Sequence, residues 1–413
     1  MSVEVTRLPS GLRIVSESRP QLQTVAVGMW VDIGARHEPL KLNGITHCLE
    51  HMLFKGTKRR TARDIASEIE AVGGQMNAYT SRDNTTYYAR VMKDDLPLAF
   101  DVLADIILNS QCDDSELVRE KEVILQEIGQ ALDTPDDIVF DHLQDAAFRD
   151  QAIGRSILGT ADSVRSFSSA DLRSYLTSNY TASNIVVSAV GNLEHKDLVA
   201  LAEEKLAGLK AGVASSTTPA RFTGGDIREK RDLEQVHVTA AWPGVSFTDD
   251  NYYAMQVYST ILGGGMSSRL FQEVRENRGL AYSVYSFTSS HQDVGLLGIY
   301  AGTGPEMAEG MMPVIKGEME ALTKGPTDEE FKIAVAQLKS GLVMALEATT
   351  SRMEQMGRQM LVFDRLIPIE EMISNVEAVT PDDVARTAEQ LLVKPDLATA
   401  IVGGGDLDRI TFS

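Results

Sequence analysis

The chain consists of two halves that repeat one order of predicted elements, and this repeat narrows its possible folds more than any other feature. A small and polar stretch from Lys210 to Gly225, near the middle of the 413 residues, is typical of a linker. Each half opens with a strand, continues with a helix that ends near glycine, and closes on a strand that runs into glycine. The predicted elements lie at 25–31, 45–56 and 185–191 in the first half, and at 236–242, 252–265 and 398–403 in the second.

The mixture of strands and helices predicts the fold class. Strands alternate with long helices, and some strands follow each other directly, as at 76–80 and 85–91. This order is typical of an α+β fold. We therefore predict two homologous domains of about 200 residues, each a mostly antiparallel sheet with helices packed over one face. The predicted boundaries are 1–210 for the N-terminal domain, 211–225 for the linker and 226–413 for the C-terminal domain.

The charge balance disfavours some classes of partner. Asp and Glu total 59 against 39 Lys and Arg, which gives a formal net charge of -20. Such a chain repels phosphate backbones, so we expect no nucleic-acid binding, whereas cationic ligands such as basic peptides are favoured. No apolar run reaches the roughly 18 residues of a membrane helix, so we also expect no membrane span.

The number of cysteines and the N-terminal segment indicate the cellular compartment in which the protein is expected. The two cysteines, Cys48 and Cys112, cannot form a disulfide framework, which favours a reducing compartment. The N-terminal segment has no basic region followed by an apolar one, so no secretory signal is predicted. We expect a cytoplasmic protein, with a mature organellar protein whose presequence has been removed as the alternative.

The segment 43–56 carries the residues with the clearest chemistry. Its apolar residues recur at the spacing of an amphipathic helix, which Asn43 is predicted to cap and Gly56 to end. His47 and His51 are four residues apart, so both imidazoles lie on one helix face and can converge on one metal ion. Glu50 shares that face and can reach a water molecule at the metal. Two neutral imidazoles with a third ligand suit zinc, so the spacing predicts a zinc site.

A third ligand must come from elsewhere in the chain. The stretch 114–128 is predicted to form a second helix that is rich in carboxylates. Such a face is usually only solvated, and spacing alone cannot choose among its glutamates. The candidates are Glu116, Glu120, Glu122 and Glu127.

The second half contains a glycine-rich segment at 262–282. Its three consecutive glycines lack the Gly-Lys-Ser/Thr sequence that follows in a phosphate-binding loop, so a nucleotide site is rejected. Arg275 and Tyr282 lie seven residues apart in this segment. That spacing by itself indicates no particular chemistry.

These segments together resemble the inverted-motif zinc peptidases of the pitrilysin and insulinase type, peptidase family M16. The similarity is to the short branch that includes the mitochondrial processing peptidase β-subunit and its bacterial relatives. His-x-x-Glu-His is the signature of this class. The resemblance implies that Glu127, which lies 76 positions after His51, is the third zinc ligand. It also implies that Glu120 supports the site by contacting a ligand.

The same resemblance implies roles for other residues. The strand at 73–80 corresponds to the family's strand beside the zinc, where Asn77 and Ala78 would bind the substrate backbone. Arg275 and Tyr282 correspond to the family's Arg-Tyr pair, which would hold the peptide and stabilise the oxyanion. Glu50 would be the base that activates the attacking water.

The resemblance also implies an activity and an assembly. It predicts a zinc metalloendopeptidase with one Zn²⁺ per chain, acting on extended and basic or presequence-like peptides. A chain with only two domains would form a homodimer in which each zinc faces the Arg-Tyr pair of the partner subunit. Two alternatives are a non-catalytic core or assembly subunit and a metal-dependent hydrolase of other substrates.

Overall fold

The computed structural model describes residues 2–393 and 396–412, which fold into two compact units. Each unit is built from separate stretches of the chain. Unit 1 consists of Met1–Gly129, Arg155–Thr218 and Met344–Leu366, and unit 2 consists of Gln130–Gly154, Pro219–Val343 and Ile367–Ser413.

Strands and helices are numbered in chain order. The strands are β1 Ser2–Arg7, β2 Arg13–Ser18, β3 Thr24–Val31, β4 Gln75–Thr80, β5 Thr85–Met92, β6 Ile185–Gly191, β7 Gly225–Lys230, β8 Val236–Pro243, β9 Ser283–Ser290, β10 Gly295–Thr303 and β11 Ala398–Gly403. The α-helices are α1 Ile45–Leu53, α2 Ala62–Ala71, α3 Leu96–Asn109, α4 Asp114–Asp133, α5 Pro135–Ala147, α6 Ala161–Ser166, α7 Ser169–Asn179, α8 His195–Lys205, α9 Tyr252–Gly263, α10 Pro305–Ala321, α11 Asp328–Glu347, α12 Thr349–Val362, α13 Ile369–Ala378 and α14 Pro381–Val393.

The sheet of unit 1 has six strands in the order β1-β2-β6-β3-β5-β4. All its strand pairs are antiparallel except β2 with β6. The register places Tyr79 opposite Thr86 and Asn77 opposite Tyr88 on β4 and β5. Among the described strands β4 pairs only with β5, so its other side is a free edge of the sheet.

Both faces of this sheet are covered, because successive side chains of a strand point to opposite faces. On β3, Val25 and Val27 join a core formed with α1 and α3. Ala26 and Trp30, on the other face, pack against the methionines of α12. Thus a helix from the second half of the sequence completes the first sheet.

Unit 2 contains a five-stranded sheet in the order β7-β11-β8-β10-β9, in which only β7 and β11 are parallel. Val236 and Val238 of β8 face a core formed with α9, α10 and α14. Ala241 of β8 and Ala400 of β11 face the other way, towards Val139 of α5. A helix from the first half therefore covers one face of the second sheet.

The predicted α+β class is confirmed, and each sheet is mostly antiparallel. The strands expected at 185–191 and 398–403 are β6 and β11, and those at 76–80 and 85–91 are the antiparallel pair β4 and β5. Residues 209–224 form neither helix nor strand. The domain boundaries given above, 1–210 and 226–413 with a linker at 211–225, remain a prediction from the sequence repeat. None of the helices described here is long and apolar enough to cross a membrane.

Candidate metal centre

The start of α1 is fixed by Glu38, a residue that is only 3% exposed. Its Oε2 accepts a hydrogen bond of 2.7 Å from the backbone N–H of Gly44, and its Oε1 accepts one of 2.8 Å from that of Thr46. These donors belong to the first turn of the helix, where backbone N–H groups lack partners within the helix. Glu38 thus anchors the helix that carries both histidines.

The predicted cap and end of this helix are wrong in detail. The residue at the N-terminal cap is Gly44, whose φ of 91° falls in the left-handed region that favours glycine. Asn43 instead donates its side-chain N–H groups to Glu38 and to a backbone carbonyl. The helix ends at Leu53, and Gly56 lies in the turn beyond it. The carboxylate of Glu38, a few residues upstream, accepts the hydrogen bonds at the start of the helix, and no sequence pattern reveals this role.

The candidate ligands His47, His51 and Glu127 meet in space. Glu127 Oε2 lies 3.7 Å from His47 Nε2 and 3.6 Å from His51 Nε2. The three potential ligand atoms all lie within 4.8 Å of one another, and no other cluster of this kind occurs at residues 2–393 or 396–412. Of the four glutamates considered on α4, the structure brings Glu127 to both histidines.

The chemistry of these groups fits a metal ion. Glu127 Oε2 is buried and has no hydrogen-bond partner among the described residues, and the same holds for His47 Nδ1. A buried carboxylate oxygen without a partner is costly unless a cation completes its surroundings. Burial, helped by the neighbouring His51, lowers the pKa of His47 to about 4. The ring is therefore neutral near pH 7, which is the form that binds zinc.

Glu120 connects one of these histidines to a lysine. Its Oε2 lies 3.0 Å from His51 Nδ1, and its Oε1 lies 2.6 Å from Lys55 Nζ. The Glu120 side chain is only 7% exposed. A carboxylate that holds Nδ1 orients the ring and leaves Nε2 free to face Glu127.

Glu50 contacts the edge strand. Thr80 Oγ1 of β4 donates a hydrogen bond of 2.5 Å to Glu50 Oε2. Burial raises the pKa of Glu50 above its usual value, although this hydrogen bond opposes the shift. A carboxylate with a raised pKa is suited to accept and return a proton near neutral pH.

The predicted substrate residues lie on β4 at the free edge of the sheet. The side chain of Asn77 accepts a hydrogen bond of 2.8 Å from the backbone N–H of Ala78. Ala78 packs against the core of unit 1, on the face where Thr80 meets Glu50. An edge strand offers backbone donors and acceptors to an added strand, so substrate binding here stays a prediction.

Arg275 and Tyr282 contact each other in unit 2. Arg275 lies in a π-helical turn, Phe271–Glu276, of a kind that often occurs at functional sites. Its guanidinium lies 4.7 Å from the centre of the Tyr282 ring and 4.6 Å from that of Phe271. Tyr282 is 75% exposed, which is unusual for an aromatic side chain. This contact agrees with a joint role of the two residues in holding the peptide and stabilising the oxyanion, which remains a prediction.

Sequence analysis missed three residues of this centre. Lys55 lies four residues after His51, and Thr80 ends the segment that resembles the strand beside the zinc, so proximity in sequence could have suggested both. Glu38 gave no signal, because a buried glutamate that caps a helix from seven residues upstream has no sequence pattern.

Two family models match the chain. The model of the insulinase family, peptidase family M16, covers residues 13–161, and the model described as the peptidase M16 inactive domain covers residues 166–338. The boundary between the two matches falls within α6.

Curated relatives match along almost the whole chain. An uncharacterised zinc protease of Streptomyces coelicolor is 42% identical over 401 residues, which cover 95% of this chain and 87% of the relative. One of Bacillus subtilis is 38% identical over 395 residues, with 95% and 96% covered. One of Rickettsia felis is 37% identical over 404 residues, with 98% of each chain covered.

Solved structures share the fold. A crystal structure described as a peptidase M16 inactive domain from Pseudomonas fluorescens has a TM-score of 0.91 at 22% identity, with 98% of both chains covered. A protease from Helicobacter pylori has a TM-score of 0.90 at 21% identity, with 97% of this chain and 99% of that chain covered. The common architecture thus extends over both compact units.

Proposed function

Since the chain belongs to the insulinase family of peptidases, peptidase family M16, we propose that it is a zinc-dependent endopeptidase. Membership of the family and relatives named zinc proteases support a zinc peptidase in general. The observation that carries the finer proposal is the convergence of His47, His51 and Glu127 within 4.8 Å, beside the half-buried Glu50.

We propose that His47, His51 and Glu127 hold one Zn²⁺ per chain. A zinc ion in such a site polarises the scissile carbonyl and makes water more acidic. Glu120 and Lys55 fix the orientation of His51 through the contacts described above.

Glu50 is the proton carrier in this proposal. Its carboxylate accepts a proton from the attacking water and passes it to the leaving amine. The hydrogen bond from Thr80 holds one carboxylate oxygen, which leaves the other free for the water.

The free edge of β4 is the proposed binding site for the substrate. An extended peptide pairs with β4 through backbone hydrogen bonds, with Asn77 and Ala78 beside it. The net charge of -20 favours basic and presequence-like peptides. Cysteines that are both free and buried agree with the proposed cytoplasmic location.

Arg275 and Tyr282 complete the proposed site in a homodimer. Their guanidinium and phenol groups can donate hydrogen bonds to the peptide and to the developing oxyanion. We propose that each chain supplies this pair to the metal centre of its partner, so that two active sites are shared across the dimer.

The Glu50→Gln variant tests the proposed function. The amide cannot accept the proton, so we expect loss of peptide cleavage by at least a hundredfold, with one zinc per chain retained by metal analysis. The zinc-loaded wild-type protein is the control. Absence of cleavage by the wild type would favour a non-catalytic assembly subunit, and full activity of the variant would remove Glu50 from its role.

A further inference from the structure

The loop between β3 and α1 contacts the edge strand β4 at the point where that strand ends. β4 ends at Thr80, and Ser81 and Arg82 follow it in the turn that leads to β5. The backbone N–H of Ala35 donates a hydrogen bond of 3.0 Å to the carbonyl of Ser81. The backbone N–H of Arg36 donates one of 3.0 Å to the carbonyl of Arg82. The loop and the turn are therefore joined through their backbones.

The two backbones lie too close together for a side chain to fit between them. A Cβ atom at Gly34 would lie 2.5 Å from the carbonyl oxygens of both Ser81 and Arg82, so this position requires glycine. On the neighbouring strand, the hydroxyl of Thr85 donates a hydrogen bond of 2.8 Å to the carbonyl of Ile33. The turn between β4 and β5 thus has a fixed place against the loop.

A buried ion pair joins the side chains of the same two segments. Arg36 Nη1 lies 3.0 Å from Asp83 Oδ1, and the two side chains are 4% and 20% exposed. A charge-assisted hydrogen bond that water hardly reaches is stronger than an exposed ion pair. Loss of either partner deprives a buried charge of its counter-ion, which is costly. The side chain of Arg36 therefore adds to the hold that its backbone already has on the turn.

The same loop also holds the start of α1. Glu38 lies two residues after Arg36 and accepts hydrogen bonds from the first turn of the helix. The backbone carbonyl of Glu38 in turn accepts a hydrogen bond of 2.7 Å from Arg155 Nη2. One short segment is therefore attached at Arg36 to the end of β4 and at Glu38 to the helix that carries Glu50.

These two attachments flank the contact between Thr80 and Glu50. Thr80 directly precedes Ser81, whose carbonyl the loop binds, and it donates the hydrogen bond of 2.5 Å to Glu50. Among the described strands β4 pairs only with β5, so an anchor at its end limits the freedom of Thr80. The short distance along the chain from Arg36 to Glu38 therefore couples the position of Thr80 to that of Glu50.

We propose that Arg36 is a positioning residue of the peptidase, which binds Asp83 and so holds the end of β4 where Thr80 meets Glu50. The inference rests on the proposed function, because it assigns Arg36 to the reaction in which Glu50 is the base. Arg36 does not touch the substrate in this proposal and acts through Thr80 alone.

Steady-state kinetics test the role of Arg36. Arg36→Met should lower kcat by about tenfold, as for loss of a hydrogen bond to a charged group, and should change KM and zinc content by less than about twofold. Arg36→Lys keeps the charge and should retain most of the activity. Arg165→Met, which breaks an ion pair with Asp162 in which the arginine is 62% exposed, is the matched control and should behave as the wild type does. An unchanged kcat in Arg36→Met would overturn the proposal.

A double-mutant cycle tests whether Arg36 acts through Thr80. If it does, adding Arg36→Met to Thr80→Val should lower kcat by no more than about twofold beyond the effect of Thr80→Val. Asp83→Asn, at the more exposed partner of the ion pair, gives the same comparison if Arg36→Met fails to fold. Independent losses that multiply in the double variant would overturn the proposal.

Hydrogen exchange separates this proposal from the peptidase activity. The backbone amides of β4 should exchange faster in Arg36→Met than in the wild type, and Arg165→Met should leave their exchange unchanged. Faster exchange in Arg36→Met, together with no cleavage by the wild type, would support the hold on β4 and contradict the peptidase proposal alone. Cleavage by the wild type with unchanged exchange in Arg36→Met would contradict the role of Arg36 alone.

Discussion

Thr80 Oγ1 donates a hydrogen bond of 2.5 Å to Glu50 Oε2 and so joins the edge strand β4 to the helix that carries the two histidines. The bond connects the two elements that the proposed reaction needs, because β4 is the proposed substrate strand and Glu50 the proposed base. In the proposed complex, this bond fixes the position of the substrate strand relative to the carboxylate.

Replacing this hydroxyl should impair turnover. Thr80→Val keeps the shape of the side chain but removes the donor, so we expect kcat/KM to fall by about tenfold, as for a hydrogen bond to a charged group. Zinc content should not change. Thr80→Ser keeps the hydroxyl and should retain most of the activity. Equal activity of the valine and serine variants would show that the bond has no part in the reaction.

The contact between Lys55 and Glu120 predicts an effect on metal affinity. Lys55→Met leaves one oxygen of a buried carboxylate without its partner, which loosens the hold of Glu120 on His51. We expect zinc to bind about tenfold more weakly in a chelator competition. Lys58→Met, at an exposed lysine nearby, is the matched control and should bind zinc as the wild type does. Unchanged affinity in Lys55→Met would contradict the supporting role.

A buried ion-pair network predicts how stability depends on pH. Glu17 lies between Arg19 and Arg352, and all three are at most 7% exposed. Burial alone would raise the pKa of Glu17, but Arg352 and Arg19 outweigh burial and hold it below its usual value. A lowered folded pKa adds stability above the unfolded pKa of about 4.3, and this stability is lost as the pH falls through the folded pKa.

Glu17→Gln tests this network. We expect unit 1 to lose about 3 kcal/mol of unfolding free energy at pH 7, because two buried arginines lose their charged partner. The difference from the wild type should shrink as the pH falls below the unfolded pKa of about 4.3 and towards the lowered pKa of folded Glu17. Urea unfolding followed by Trp30 fluorescence in the Trp242→Phe background measures it. Glu203→Gln, at an exposed residue of α8, is the control. A difference that stays constant with pH would contradict the assignment to Glu17.

Sharing of sites in a homodimer predicts complementation between inactive variants. Glu50→Gln and Arg275→Ala should each be inactive when alone, since each lacks one part of both sites. After subunit exchange, a mixed dimer regains one site with Glu50 from one chain and Arg275 from the other. Peptide cleavage should then recover in part. Mixed dimers that form, as seen by mass spectrometry, but stay inactive would mean that each chain completes its own site.

The sequence was sufficient for features that depend on local geometry. His47, Glu50 and His51 share a face because the helix repeats every 3.6 residues, and this relation holds wherever the helix packs. Short apolar segments that run into glycine likewise predicted β6 and β11, and the adjacent pair of strands predicted β4 and β5, which are antiparallel.

Tertiary structure decided which distant residues meet these elements. The period of α4 left four glutamates open, and only packing of that helix brings Glu127 to both histidines and Glu120 to Lys55. Likewise, an apolar stripe shows that one face of a helix will be buried, but it does not show which sheet the helix covers. The sequence therefore could not predict that α5 covers the second sheet and α12 the first. The physical reason is that the helix period relates only residues a few positions apart. Contacts between residues far apart in the sequence depend instead on how the whole unit packs.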